Sequence, residues 1–417
     1  MTGPVRHPPF GRFVAAGHQA GRLLVQPRMG FAGVRVMRDG LLAVRASGVP
    51  AIGTVTLDSY TRVGQFDEAA RAVARGLDLN GFPIVTHGAD RTARMLHGVV
   101  ADDFPVQVRH GSAQPERIFR TMLAAGLTAT EGGPVSYCLP YSRIPLRTAT
   151  ASWTRATRLL AEHPDECHLE SFGGCMLGQL CPPSLLIAIS VLECLFFVEH
   201  GMRSVSASYA QQTHPQQDAE ALGALRRLCA EHLSGVDWHV VLYTYMGLFP
   251  RTPEGAKRLL RESARLAVRT GTERMIVKTV AEAHRIPTIE ENVQALRIAH
   301  EAAASEPAGT SESEMDTGIH EQASALVGEV LGCAPTVARA LPLAFEKGLL
   351  DVPYCLHPDN DNRTRSVVGP DGRLEWWNTG RMPLPAAVRV HREPLSHRRL
   401  LDDLDYQRRR FDQPVPA

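Results

Sequence analysis

Residues 105–131 read PVQVRHGSAQPERIFRTMLAAGLTATE. A short apolar run ends in a cation at Arg109, a helical pattern covers 115–126, and a second short run, 128–131, ends in Glu131. This is one strand–helix–strand unit, and working outward the same alternation recurs. Candidate strands lie at 23–26, 52–57, 82–86, 105–109, 128–131, 205–209, 239–243 and 275–278. Helical patterns lie at 66–77, 115–126, 152–162, 183–200, 217–233, 253–270 and 288–304. About eight units running in one direction predict an α/β fold, a parallel sheet closed as a (β/α)8 TIM-type barrel. An open doubly wound sheet shares the local pattern, so the alternation alone does not choose between them.

The barrel is expected to span 1–304. Residues 302–317 are small, polar and acidic, and 305–317 is predicted to be an exposed linker. A smaller α+β extension, 318–417, follows. Its end carries His397-Arg398-Arg399 and Arg408-Arg409-Arg410, which read as a solvated helix face paired with Asp402, Asp403 and Asp405 rather than as a nucleic-acid contact.

Composition narrows the function classes. A net charge of +1 offers no field to draw in nucleic acid or a membrane surface. The most apolar run, 184–198, contains Glu193 and is too short to span a bilayer, so it predicts a buried helix. The N-terminus shows no apolar core of signal-peptide length, and the eight cysteines form no CxxC pair. A reduced, cytoplasmic chain is expected. Of the 45 basic residues only Lys257, Lys278 and Lys347 are lysine. Arginine is therefore the default cation, which weakens any single arginine as a signal and makes Lys278 more informative.

Three arginines stand where strand patterns give way to loops: Arg28, Arg62 and Arg109. In a barrel these strand ends share one mouth, and a guanidinium matches a carboxylate bidentately, so together they suit a dicarboxylate. Singly, each could equally be a surface ion pair. The stretch Glu131-Gly132-Gly133-Pro134-Val135-Ser136-Tyr137-Cys138-Leu139-Pro140-Tyr141 adds a carboxylate, paired glycines that let backbone crowd a ligand, and two amphipathic rings. The bland alternative is a structural loop with packed tyrosines. Lys278 and Glu282, four apart, would by themselves make a simple ion pair.

The run from Arg109 through Glu131 to Tyr141 resembles the epsilon (large, catalytic) subunit of glutamate mutase, also called methylaspartate mutase. The likeness also covers Gln26-Pro27-Arg28, Leu57-Asp58-Ser59-Tyr60-Thr61-Arg62, Asn80-Gly81-Phe82-Pro83, and Val277-Lys278-Thr279 through Glu282 to Ile286-Pro287-Thr288. It extends to about Asn378. The resemblance implies the barrel, and an isomerase that rearranges the carbon skeleton of L-glutamate to L-threo-3-methylaspartate with adenosylcobalamin. A cofactor-derived radical would take a hydrogen from the substrate, which would split into a glycyl radical and acrylate and recombine. Residues matching the family's substrate contacts are Arg28, Arg62, Arg109, His110, Glu131, Tyr137 and Tyr141, with Glu131 meeting the amino group as the catalytic carboxylate. Gly30, Asn80, Pro140, Phe249 and Ile286 match positions on the corrin side, and Lys278 and Glu282 match those that hold the adenosyl ribose.

The family's cobalt-binding Asp-x-His-x-x-Gly pattern is missing. Asp237-Trp238-His239 comes nearest, but Leu242 stands where glycine is required. The resemblance therefore implies a separate small cobalamin-binding (sigma) subunit docked over the mouth, in a heterotetramer around a homodimer of large chains. The stretch before Arg28 is short for the family. Two competing readings are a related cobalamin-dependent mutase acting on another amino or dicarboxylic acid, and a non-catalytic barrel that only binds a partner. A metal-dependent barrel hydrolase or lyase would need ligands clustered at strand ends, whereas His110 and His168 stand apart in the sequence.

Overall fold

The computed structural model describes residues 9–176, 179–307, 316–385, 388 and 394–413. Eight strands run in chain order: β1 Leu24–Pro27, β2 Gly53–Thr56, β3 Val106–Arg109, β4 Ala129–Gly132, β5 His168–Ser171, β6 Ser204–Ala210, β7 Asp237–Tyr243 and β8 Arg274–Val277. They form one sheet in the order β1-β8-β7-β6-β5-β4-β3-β2, and every pairing is parallel. The two ends of this sheet meet. Val25 bridges to Ala51, the Val25 amide donates to the Pro50 carbonyl at 3.0 Å, and the Ile52 amide donates to the Val25 carbonyl at 3.0 Å. Closure leaves no sheet edge and selects the (β/α)8 barrel over the open sheet.

One expected strand is absent and another takes its place. Residues 82–86 make only a single bridge, Leu57 to Phe82, before helix Ile84–Leu96 begins. The fifth strand is instead His168–Ser171, whose sequence His-Leu-Glu-Ser lacks an apolar run. Its alternate residues His168 and Glu170 are buried in a polar barrel interior, so no hydrophobic signal marked it.

That interior is built around Arg274, which is fully buried. Its guanidinium donates to Gln26 Oε1 at 2.6 Å, Gln107 Oε1 at 3.2 Å and Ser206 Oγ at 3.3 Å, and forms an ion pair with Glu170. Gln107 Nε2 also donates to Glu170 Oε2 at 3.1 Å. Helix Phe10–Gln19 lies against the opposite end of the barrel from the mouth. Phe10 stacks on His168 at 4.8 Å and sits under the Arg274 guanidinium at 5.2 Å. His168 and His239 stack at 5.0 Å within this layer; both are deeply buried and held neutral by burial, and His239 stands in a buried strand as its sequence context predicts.

The apolar run 184–198 forms helix Pro183–Glu199, buried along nearly its whole length. An all-round apolar helix needs cover on both sides. The barrel supplies one side, and helices Ile319–Leu331 and Val337–Lys347 supply the other. Most of the expected linker, 308–315, lies outside the described residues. Just beyond it, Thr317 is anchored by its amide, which donates to Glu220 Oε1 at 2.8 Å. An antiparallel pair, β9 Arg365–Val368 and β10 Leu374–Asn378, and helices His397–Leu404 and Tyr406–Asp412 complete the C-terminal part. Its arginines pair as predicted with Asp402, Asp403 and Asp405, while Arg410 reaches Glu262 at 3.3 Å.

Candidate active site

The C-terminal ends of the strands bring the predicted residues to one mouth. Arg28 directly follows β1, Arg109 ends β3, Glu131 lies in β4 and Lys278 directly follows β8. Arg62 is presented by a single helical turn, Ser59–Arg62. Asp58 caps that turn by accepting from the Thr61 amide at 3.0 Å. The Asn80 side chain accepts from the Ser59 amide at 2.9 Å, so this residue has a local duty in holding the turn. The backbone of Leu57 links two of the arginines: its carbonyl accepts from Arg62 Nε at 2.8 Å, and its amide donates to the Arg109 carbonyl at 2.8 Å.

Glu131 is the hub of the buried part. Arg109 Nε donates to its Oε2 at 2.8 Å, the Tyr243 hydroxyl donates to the same oxygen at 2.6 Å, and the Tyr137 hydroxyl donates to Oε1. Burial alone would raise the Glu131 carboxyl, but Arg109 and the two phenols outweigh it and keep it ionised. Burial likewise works against the Arg109 charge, and Glu131 and the tyrosines more than compensate. Because the ion pair uses Nε, the two terminal nitrogens of Arg109 have no hydrogen-bond partner among the described residues.

His110 is buried beside this pair, stacked on Trp153 at 5.7 Å and edge-on to Tyr137 at 5.0 Å. Burial pushes its pKa down to about 3, so the ring is neutral. Its Nδ1 accepts from the Ser112 amide at 3.0 Å, which places the proton on Nε2. Among the described residues that buried Nε2 has no hydrogen-bond partner. Arg28 Nε is a second buried atom at the mouth without a hydrogen-bond partner among the described residues.

The paired glycines work differently from the expectation. A Cβ on Gly132, whose φ is +133°, would lie 2.5 Å from both Trp153 and Tyr137, and one on Gly133 would lie 2.0 Å from the Glu193 carboxylate. They admit neighbouring protein groups. Glu193 accepts from the Val135 and Ser136 amides at 3.0 and 2.8 Å, and from the Ser136 and Ser171 hydroxyls at 2.9 and 2.8 Å. One buried carboxylate thus fixes the loop that carries Tyr137.

A second cluster lies across the β1–β8 seam. Glu282 Oε2 is 3.7 Å from Lys278 Nζ and 3.4 Å from Arg28 Nη1. Lys278 also stands 4.6 Å over the Phe249 ring, and burial lowers its pKa to about 8 although Glu282 pulls the other way. Gly30 is pressed against β2, where a Cβ would meet the Thr56 carbonyl at 2.2 Å. Pro140 is partly buried, while Tyr141 and Ile286 are exposed. Tyr60, Val63, Tyr141, Leu248 and Ile286 expose large apolar side chains from the loops after β2, β4, β7 and β8, forming an apolar rim. Among the described residues no group of three or more histidine, cysteine, aspartate or glutamate side chains is disposed to hold a metal ion.

Residues 6–409 match the Methylaspartate mutase E chain family. This chain belongs to that family. The glutamate mutase epsilon subunit of Halobacterium salinarum is 32% identical over 413 residues, covering 94% of this chain and 85% of the relative. Those of Desulfitobacterium hafniense and Escherichia coli O157:H7 are 30% and 28% identical, covering 93% and 92% of this chain and 84% and 82% of the relatives. Within this member of the family, the structure adds Tyr243, Glu170 and Arg274 to the residues expected at or beneath the mouth. Tyr243 ends the predicted strand 239–243, and that strand-end position was the signal that could have marked it.

Proposed function

We propose that this chain is the catalytic subunit of an adenosylcobalamin-dependent glutamate mutase, an isomerase converting L-glutamate to L-threo-3-methylaspartate. The observation that carries the reading is the buried Arg109–Glu131 pair with Arg62 and Arg28 at the same mouth. An α-amino dicarboxylate presents two carboxylates to arginines and one ammonium to a carboxylate. Glu131, ionised and held by three donors, is the ammonium acceptor. The free terminal nitrogens of Arg109 form a fork for one substrate carboxylate. Arg62, Arg28 and the neutral Nε2–H of His110 are available to the other. Tyr137, wedged between His110 and Phe172, closes one wall against water, and Tyr141 packs edge-on to it at 5.8 Å. Holding both ends of the carbon skeleton keeps the fragments in register during rearrangement.

The mouth fits the cofactor. Its apolar rim suits a large, flat ring system, and Lys278 and Glu282 offer a donor and an acceptor for a ribose at its edge. Phe249, Gly30, Asn80, Pro140 and Ile286 complete that side. When bound, adenosylcobalamin supplies the radical that removes hydrogen from the substrate. The chain's own part is to orient, shield and hold charge. The exposed rim also suits a small cobalamin-binding sigma subunit, in a heterotetramer built on a homodimer of this chain. A cytoplasmic location accords with eight unpaired cysteines. No helix among the described residues is long and apolar enough to cross a membrane.

The test is an anaerobic assay of this chain with a candidate sigma subunit, adenosylcobalamin and L-glutamate, reading 3-methylaspartate by mass spectrometry. Product that requires all four components is expected. Absence of product from a complex that binds both cofactor and sigma subunit would move the substrate to another amino or dicarboxylic acid. Chains that fail to associate would favour the non-catalytic barrel.

A further inference from the structure

We infer that Tyr243 is a positioning residue for Glu131, and that Glu170, locked to Arg274 inside the barrel, in turn positions Tyr243. The inference rests on reading Glu131 as the acceptor of the substrate ammonium, and it deepens that reading.

The geometry is a chain through the barrel, Arg109, Glu131, Tyr243, Glu170, Arg274, in which a phenol stands between two carboxylates that each have a guanidinium behind them. The Tyr243 hydroxyl lies 2.6 Å from Glu131 Oε2 and also hydrogen-bonds Glu170 Oε1. Each carboxylate has its own guanidinium, Arg109 for Glu131 and Arg274 for Glu170. Each carboxylate is thus matched by a cation and faces the phenol as an acceptor. A phenol carries one proton and can donate it to one acceptor at a time. Two anionic oxygens therefore compete for a single donor.

Shared between them, the hydroxyl holds the Glu131 carboxylate in the orientation in which an ammonium meets it, and without it that carboxylate is free to turn. The ring itself is held still. The Arg109 guanidinium lies 5.1 Å from its centroid, and Phe172 meets it edge-on at 5.5 Å. Phe172 also packs at 5.0 Å on Tyr137, the second phenol on Glu131, so one aromatic wall sets both donors.

The test compares two ligands that differ only at the group Glu131 would bind. L-glutamate and glutarate share both carboxylates, but glutarate has no amine. In the chain assembled with sigma subunit and adenosylcobalamin, Tyr243→Phe should weaken L-glutamate binding about tenfold or more and leave glutarate within about twofold. The acidic limb of kcat/KM should also move to higher pH, because Glu131 has lost a donor that favours its ionised form. Equal losses for both ligands would mean a merely structural tyrosine, and no loss for either would also overturn the inference. If Tyr243→Phe does not fold, the double variant Glu170→Gln with Arg274→Met, which removes both charges of the interior pair together, must show the same glutamate-selective loss. An unaltered enzyme that binds neither ligand would refute the proposed substrate first, a result visible before any variant is made.

Discussion

Arg28 and Glu282 lie 254 positions apart in the chain and meet at 3.4 Å, beyond the ends of β1 and β8, the first and last strands, which pair side by side. The pair joins an arginine from the substrate group to a carboxylate from the ribose group, so the two halves of the candidate site share one electrostatic unit. Burial works against the Glu282 charge, and Lys278, Arg28 and Arg109 together hold its carboxyl below the usual range.

Glu282→Gln is therefore expected to weaken adenosylcobalamin binding about tenfold while changing KM for glutamate less than about threefold. Equilibrium binding of the cofactor and steady-state kinetics on the same preparation decide the order. A larger effect on KM would move Glu282 out of the ribose site.

Arg109→Lys should lower kcat/KM by about a hundredfold or more, roughly 3 kcal/mol, because an ammonium cannot hold Glu131 through one nitrogen and present a fork with two others. Near-normal turnover would remove Arg109 from the substrate.

Glu193 carries a pH signature. Burial raises its pKa to about 7 against the pull of its four hydrogen-bond donors. The folded value lies above the unfolded one, so its contribution to stability is fully present below about pH 4.5 and is lost as pH rises through about 7. Glu193→Gln can still accept from both amides and donate to both serines, so it should fold and show a flatter decline of denaturation midpoint between pH 5 and 8. A decline as steep as in the unaltered chain would assign the pH dependence to another group, such as Asp218, whose burial also raises its pKa to about 7.

Arg274→Met leaves Glu170 buried without a cation and should cost about 3–5 kcal/mol, read as a fall in denaturant midpoint. Adding Glu170→Gln should restore part of it. A single variant as stable as the original would show that the interior network does not depend on charge pairing.

Of the eight free thiols only Cys333 is not buried. A thiol reagent under native conditions should modify one site quickly, at Cys333, with the others reacting only on unfolding. Fast labelling at Cys138, which packs below the mouth near Ile144 and His357, would show that the Tyr137 loop opens.

Most of the fold was legible where each segment's pattern reflected a one-sided environment. Seven of the eight barrel strands and the buried helix Pro183–Glu199 follow from local runs, because apolar residues there face a continuous core. The fifth strand escaped because its inward residues, His168 and Glu170, serve a polar interior that only the closed barrel creates. The stretch 82–86 looked like a strand because Phe82 and Ile84 are buried, yet that burial comes from a strand end and a helix start.

The same division holds for the candidate site. The sequence by itself determined which groups stand at strand ends: Arg28, Arg109, Glu131, Lys278, and Arg62 one capped turn beyond. Only the tertiary structure decided which of them touch. Arg28 chose Glu282, Glu131 gathered Arg109, Tyr137 and Tyr243, and the paired glycines made room for Tyr137, Trp153 and Glu193. Strand order is a local consequence of alternating patterns, whereas these contacts depend on where a sheet closes and how far each side chain reaches across a shared interior.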